Sequence, residues 1–71
     1  MIGFIGLGNM ANAMIGGFIQ GGCASKEEII GSAKTKETCK KVQEKFGIST
    51  FTDNKEVASK ADILFLAIKP V

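Results

Sequence analysis

Gly6 and Gly8, followed by Ala11, carry the most specific chemical signal in these 71 residues. They stand in "GFIGLGNMANAM", residues 3 to 14, where an apolar run meets two glycines one residue apart and then a small side chain. In the spacing G-x-G-x-x-G/A the first glycine permits a tight turn and the second lets a pyrophosphate touch the backbone. The third small residue lets a helix pack closely on a strand. Free N–H groups at residues 8 to 11 would then face an anion, with the helix dipole adding to the attraction. A lone spacing of this kind is weak; between a strand and an amphipathic helix it becomes specific. The competing reading is a glycine turn required only for packing.

A second group stands about 20 residues further on, where a site for NAD carries an Asp or Glu against the ribose 2′-hydroxyl. Here the sequence reads Gly31-Ser32-Ala33-Lys34-Thr35-Lys36, with hydroxyls and ammonium groups and no carboxylate. A 2′-phosphate would be attracted by Lys34 or Lys36 and would accept hydrogen bonds from Ser32 and Thr35, with a helix amino end adding to the field. The alternative is a solvated helix start. The missing acid tips the expectation to NADP over NAD. Other chemistry is sparse: the chain has no His and no Tyr, and no motif places two carboxylates as acid and base. Cys23 and Cys39 fit no metal-ligand spacing and have no partnering base, so no catalytic residue and no metal site is expected in this chain.

The elements that must position these groups follow from periodicity. Met1 to Ile5 is a short apolar run of strand type. From Asn9, residues Met10, Ala11, Met14, Ile15, Phe18 and Ile19 recur on one helical face until Gly21-Gly22. The Gly16-Gly17 pair inside that helix suggests a close approach to the sheet. Glu28 to Gly31 reads as a second strand, and Thr35 caps a helix running to Phe46, with Cys39, Val42 and Phe46 inward and Gly47 as its stop. Ile48 to Phe51 is a third strand. Asp53-Asn54-Lys55-Glu56 has capping-box spacing and opens a helical turn through Ala61. Ile63 to Ile68 is an unbroken apolar run of the kind a strand covered on both faces requires, and Lys69-Pro70 closes it. This alternation implies an α/β, Rossmann-like parallel sheet of about four strands with right-handed crossovers, a single dinucleotide-binding domain over residues 1–71.

Composition is consistent with that layout. A chain this short buries only about 60% of its unfolded surface, but 45% apolar residues suffice for a thin core. The net charge is +2, and all nine basic residues are scattered lysines, which argues against a nucleic-acid reader. Residues 1 to 25 carry no charge, yet seven glycines, two asparagines and Gln20 interrupt them, and no positive segment precedes Ile2. Neither a membrane span nor a secretory signal is expected, and the reducing cytoplasm is the default location.

On these residues the chain resembles the amino-terminal domain of pyrroline-5-carboxylate reductase. The resemblance is carried by "IGFIGLGNMANAMIGGF", the loop Gly21 to Glu27, "IIGSAKTKE" and above all "ADILFLAIKPV", whose Phe-Leu-Ala-Ile-Lys-Pro matches a typical F-L-A-V-K-P. It implies reduction of the cyclic imine 1-pyrroline-5-carboxylate to proline with NADPH or NADH, the last step of proline synthesis. It places Ile5, Gly6, Leu7, Gly8, Asn9 and Met10 at the pyrophosphate and Ser32 near the 2′-phosphate. It puts Asn54 beside the adenosine end, and Ala67, Ile68, Lys69 and Pro70 beside the nicotinamide ribose. It also implies that the substrate pocket, proton donor and homo-oligomer interface belong to a helical domain absent from this chain, which alone would be inactive. The 3-hydroxyisobutyrate dehydrogenase group often begins with a similar "GFIGLGNMG". Ala11, the missing Asp or Asn-Arg pair on the second strand, and Lys-Pro after the fourth count against it. A module that binds a nucleotide without turnover is the other reading.

Overall fold

The computed structural model describes residues 1–66, so Ala67, Ile68, Lys69 and Pro70 lie outside the described residues. Each short apolar run becomes a strand: β1 (Ile2–Ile5), β2 (Ile29–Ser32), β3 (Ser49–Phe51) and β4 (Ile63–Leu66). All neighbours are parallel and the order is β3-β2-β1-β4. The connecting helices are α1 (Asn9–Gln20), α2 (Lys36–Phe46) and α3 (Asn54–Lys60), with a single 3₁₀ turn at Lys26–Glu28 ahead of β2. Glu28 belongs to that turn rather than to the strand, because its carboxylate accepts from the Ser25 backbone N–H (3.2 Å) and hydroxyl (3.0 Å).

Strand order reverses direction after β3, so α1 and α2 share one face of the sheet and α3 takes the other. On the first face Phe4, Leu7, Ala11, Ile15, Ile29, Val42 and Ile48 form the core. Phe4 also stacks on Phe65 of β4, with ring centroids 5.2 Å apart. On the second face Val57 is fully buried, and Gly3 is required there, since a Cβ would stand 2.6 Å from the Cβ of Ala61 and 2.8 Å from Cγ1 of Val57. Among the described residues no helix is long and apolar enough to cross a membrane.

Four local expectations need correction. Met10 is 67% exposed. The buried stripe runs through Ala11 and Ile15, and one residue back along the helix turns the side chain by 100°, off the stripe. Gly16 faces the Phe46 ring of α2, 3.5 Å from a built Cβ, and Gly17 meets nothing, so the pair does not mark an approach to the sheet. The capping box at Asp53 does not form: Asp53 accepts from the Lys55 N–H at 2.9 Å, while the Glu56 carboxylate turns to Lys60 at 3.7 Å. Finally β4 is not covered on both faces, since Ile63 is 56% and Leu66 is 66% exposed. It is one of the two edge strands of the described sheet, paired with β1.

Candidate functional site

In a doubly wound sheet the crevice outside the carboxyl ends of the strands, beside the reversal of strand order, is where a ligand fits. Here a cavity of about 470 Å³ opens at the carboxyl ends of β1 and β2. Its floor is the turn Ile5-Gly6-Leu7-Gly8, and its far wall is Ser32, Ala33, Lys34 and Thr35, with Thr38 and Asn54 above. Gly6 has φ +93°, a conformation that favours glycine, and its N–H donates to the Ser32 carbonyl at 3.0 Å. That bond ties the turn to the end of β2. Leu7 is anchored by packing over Gly31, where a Cβ would stand 2.5 Å from Cδ2 of Leu7.

Gly8 is different. Its φ is −86°, open to any residue, and a built Cβ would meet nothing within 4 Å. Neither backbone strain nor packing asks for glycine there. Gly8 is also the N-cap of α1, and this helix has no side-chain cap and no acidic residue in its first turn. The other helices are closed by side chains: Thr35 accepts from the Thr38 N–H, and Asp53 accepts from that of Lys55. The first turn of a helix leaves four N–H groups without intrahelical partners, so the amino end of α1 presents uncompensated donors where the backbone is barest.

Of the residues read from the sequence as the adenosine end, Ser32, Lys34, Thr35 and Asn54 line this cavity, and two of their hydroxyls are engaged within the protein. Ser32 is 0% exposed and its hydroxyl donates to Oδ1 of Asn54 at 2.6 Å. The Thr35 hydroxyl is committed to capping α2, donating to Oγ1 of Thr38 at 3.0 Å. Lys34 is exposed on the cavity wall, whereas Lys36 lines a separate groove between α2 and β3 with Lys40 and Gln43. Asn9 lines a further groove between α1 and α2, next to Asn12, Thr38 and Lys41. Met10 projects outward without lining any of these depressions. Among the described residues no carboxylate lines the cavity.

Sequence reasoning overlooked three residues near the turn. Thr38 and Ala33 line the cavity, the former as the partner of the Thr35 cap. Asn12 donates from its carboxamide to the carbonyls of Gly8 (2.7 Å) and Leu7 (3.3 Å). An Asn inside the first turn, where a side-chain amide competes for backbone groups, was the available signal.

Cys39 is buried and its thiol donates to the Phe51 carbonyl at 3.2 Å, Cys23 is exposed, and both are free thiols. Among the described residues no three metal-binding side chains cluster.

Comparison with known proteins extends this geometry. The chain is 42% identical over 69 residues to pyrroline-5-carboxylate reductase of Methanosarcina acetivorans, covering 97% of this chain and 26% of that protein. It is 39% identical over 69 residues to the enzyme of the same name from Escherichia coli, again over 97% of this chain and 26% of the relative. The solved structure of a pyrroline-5-carboxylate reductase from Coxiella burnetii superposes with a TM-score of 0.88 at 36% identity, covering 97% of this chain and 25% of that one. The chain thus spans about a quarter of the curated relatives it matches. Residues 1–71 match throughout the family described as "NADP oxidoreductase coenzyme F420-dependent", and the chain belongs to that family.

Proposed function

We propose that this chain is the cofactor-binding part of an NAD(P)H-dependent reductase that converts 1-pyrroline-5-carboxylate to L-proline, with NADPH preferred to NADH. The observation that carries the reading is Gly8: a glycine with an unstrained φ and open space above it, at the uncapped amino end of α1. A packing turn needs no glycine under those conditions; a pyrophosphate lying on the backbone does. The relatives' name supplies the substrate, a cyclic imine.

In this reading the turn from Ile5 to Asn9, with Met10 beside it, holds the pyrophosphate by backbone N–H groups. The cavity wall of Ser32, Lys34, Thr35 and Asn54 takes the adenosine end, where the lysine and the absence of a carboxylate suit a 2′-phosphate. Ala67, Ile68, Lys69 and Pro70 are assigned to the nicotinamide ribose on the family resemblance. When bound, the cofactor supplies a hydride to the imine carbon, while the chain supplies position. The imine pocket, the proton donor and the self-association surface are assigned to a helical domain that these residues do not contain. The cytoplasm, where both thiols stay reduced, is the proposed location.

The test is thermal melting of the unmutated protein and of Gly8→Ala, each with and without NADPH. Binding to the native state alone raises the midpoint by mass action. The variant is expected to lower its apo midpoint by no more than the exchange of a glycine for an alanine N-cap costs, because its φ and its surroundings tolerate a methyl group, and to lose the NADPH-induced rise. A lowered apo midpoint with the rise intact would sink the proposal.

A further inference from the structure

Asn12 occupies the fourth position of α1, inside the helix, where Asn is a poorer choice than Ala because its amide competes for backbone groups. Its side chain reaches back to the carbonyls of Leu7 and Gly8, at 3.3 and 2.7 Å. These two carbonyls belong to successive peptide units, 7–8 and 8–9. No peptide bond among the described residues is cis, so in each unit the N–H points opposite to the carbonyl. Holding both carbonyls toward the helix therefore turns the N–H groups of Gly8 and Asn9 away from it. The Gly8 carbonyl also accepts from the Asn12 backbone N–H at 3.0 Å, so the side chain reinforces that plane; at Leu7 it places a donor against a carbonyl dipole whose negative end would otherwise be free to turn toward an anion.

We propose that Asn12 is a positioning residue of the phosphate cradle: it never touches the dinucleotide, but locks the two peptide planes whose N–H groups meet the pyrophosphate. The proposal rests on the dinucleotide reading above and assigns the residue to one part of the ligand. Groups fixed before binding need not be ordered during it, so the lock acts on affinity for the pyrophosphate. The adenosine end, walled by Lys34 and Asn54, is outside its reach.

The experiment measures binding of NADPH, NADH and 2′-AMP by the protein, by Asn12→Ala and by Asn12→Leu, with apo melting alongside. 2′-AMP carries the 2′-phosphate but no pyrophosphate. Loss of one ordinary hydrogen bond's worth of preorganisation predicts that both variants bind NADPH and NADH about five- to tenfold more weakly, in the same ratio. Affinity for 2′-AMP stays unchanged. Apo midpoints hold within a few degrees, since Ala and Leu are the stronger helix formers. Unchanged dinucleotide binding by the variants overturns the proposal, as does a parallel loss for 2′-AMP or a change in the NADPH to NADH ratio. Failure of the unmutated protein to bind either dinucleotide overturns the functional reading along with it, whereas normal binding by the variants overturns the role of Asn12 alone.

Discussion

β2 and β4 flank β1 in the same parallel register, so that Phe4 has Gly31 beside it on one side and Phe65 on the other. Both strands are almost wholly apolar. All four residues of β2 are buried, whereas three of the four in β4 are exposed. The difference is not in the strands but in what lies over them. β2 has β1 and β3 as neighbours, α1 and α2 on one face and α3 on the other. Among the described residues β4 has only β1 beside it, with Phe65 tucked under α1 through its stack on Phe4 and its contact with Phe18. An apolar run states that a strand suits a covered position; it does not say what covers it.

Mutations that should be unequal test this contrast most sharply. Ile29 is fully buried in β2, and Ile29→Ala should cost about 2–5 kcal/mol through lost burial and a residual cavity. Leu66→Ala, at a side chain two-thirds exposed, should cost less than about 0.5 kcal/mol in this chain. Urea unfolding of both variants gives the two numbers directly. Comparable losses would mean that β4 is as covered as β2 and that the contrast is false.

The next effect is smaller and joins β2 to the site. Gly31→Ala inserts a Cβ at 2.5 Å from Cδ2 and 3.2 Å from Cγ of Leu7, which is itself buried and has little room to move. Overpacking of this kind costs about 1–3 kcal/mol. Because Leu7 lies between the two glycines of the cradle, NADPH binding should weaken as well, a consequence with no counterpart on the β4 side. Calorimetric titration of the variant checks it, and unaltered affinity would show that β2 supports the turn without setting its shape.

What could be read beforehand follows the same division. Signals that act within a few residues were legible: Thr35 caps α2, Gly47 ends it at φ +76°, and the turn Gly6-Leu7-Gly8 follows a strand and opens a helix. Relations settled across the fold were not. The exposure of β4 depends on neighbours, and the contact between Gly16 and Phe46 on how α1 and α2 meet. Ser32 was legible as the residue in the acid's place, but its burial against Asn54, 22 positions away, was not. Asp53 and Glu56 had box spacing, yet Lys60 offered the glutamate a partner one turn on. Asn12 falls between the two cases, since its bonds span only four and five residues. It stands one residue beyond Ala11, the last position of the G-x-G-x-x-A spacing, so the motif does not include it.

The smallest expected effect concerns the carboxylates just ahead of the two strands. Glu28 precedes β2, and hydrogen bonds from the Ser25 backbone N–H and then its hydroxyl hold its carboxyl below the ordinary range. Asp62 precedes β4 and is held low first by a hydrogen bond from the amino-terminal ammonium of Met1 and then by that group's charge. A carboxyl depressed in the folded state adds stability above its unfolded value, about pH 4, and loses it as pH falls through the folded value. Melting temperature should therefore drop slightly on the acid side of that range, and Glu28→Gln and Asp62→Asn should each flatten part of the drop. Both groups are exposed, so each part is small. Salt separates them. At about 1 M ionic strength the Debye length is about 3 Å, which screens the ammonium–carboxylate pair far more than bonds from a neutral N–H and hydroxyl. The Asp62 part of the acid limb should fade in salt while the Glu28 part persists. If both fade together, the link ahead of β2 is as purely ionic as the one ahead of β4, and the two strands are entered through the same kind of contact.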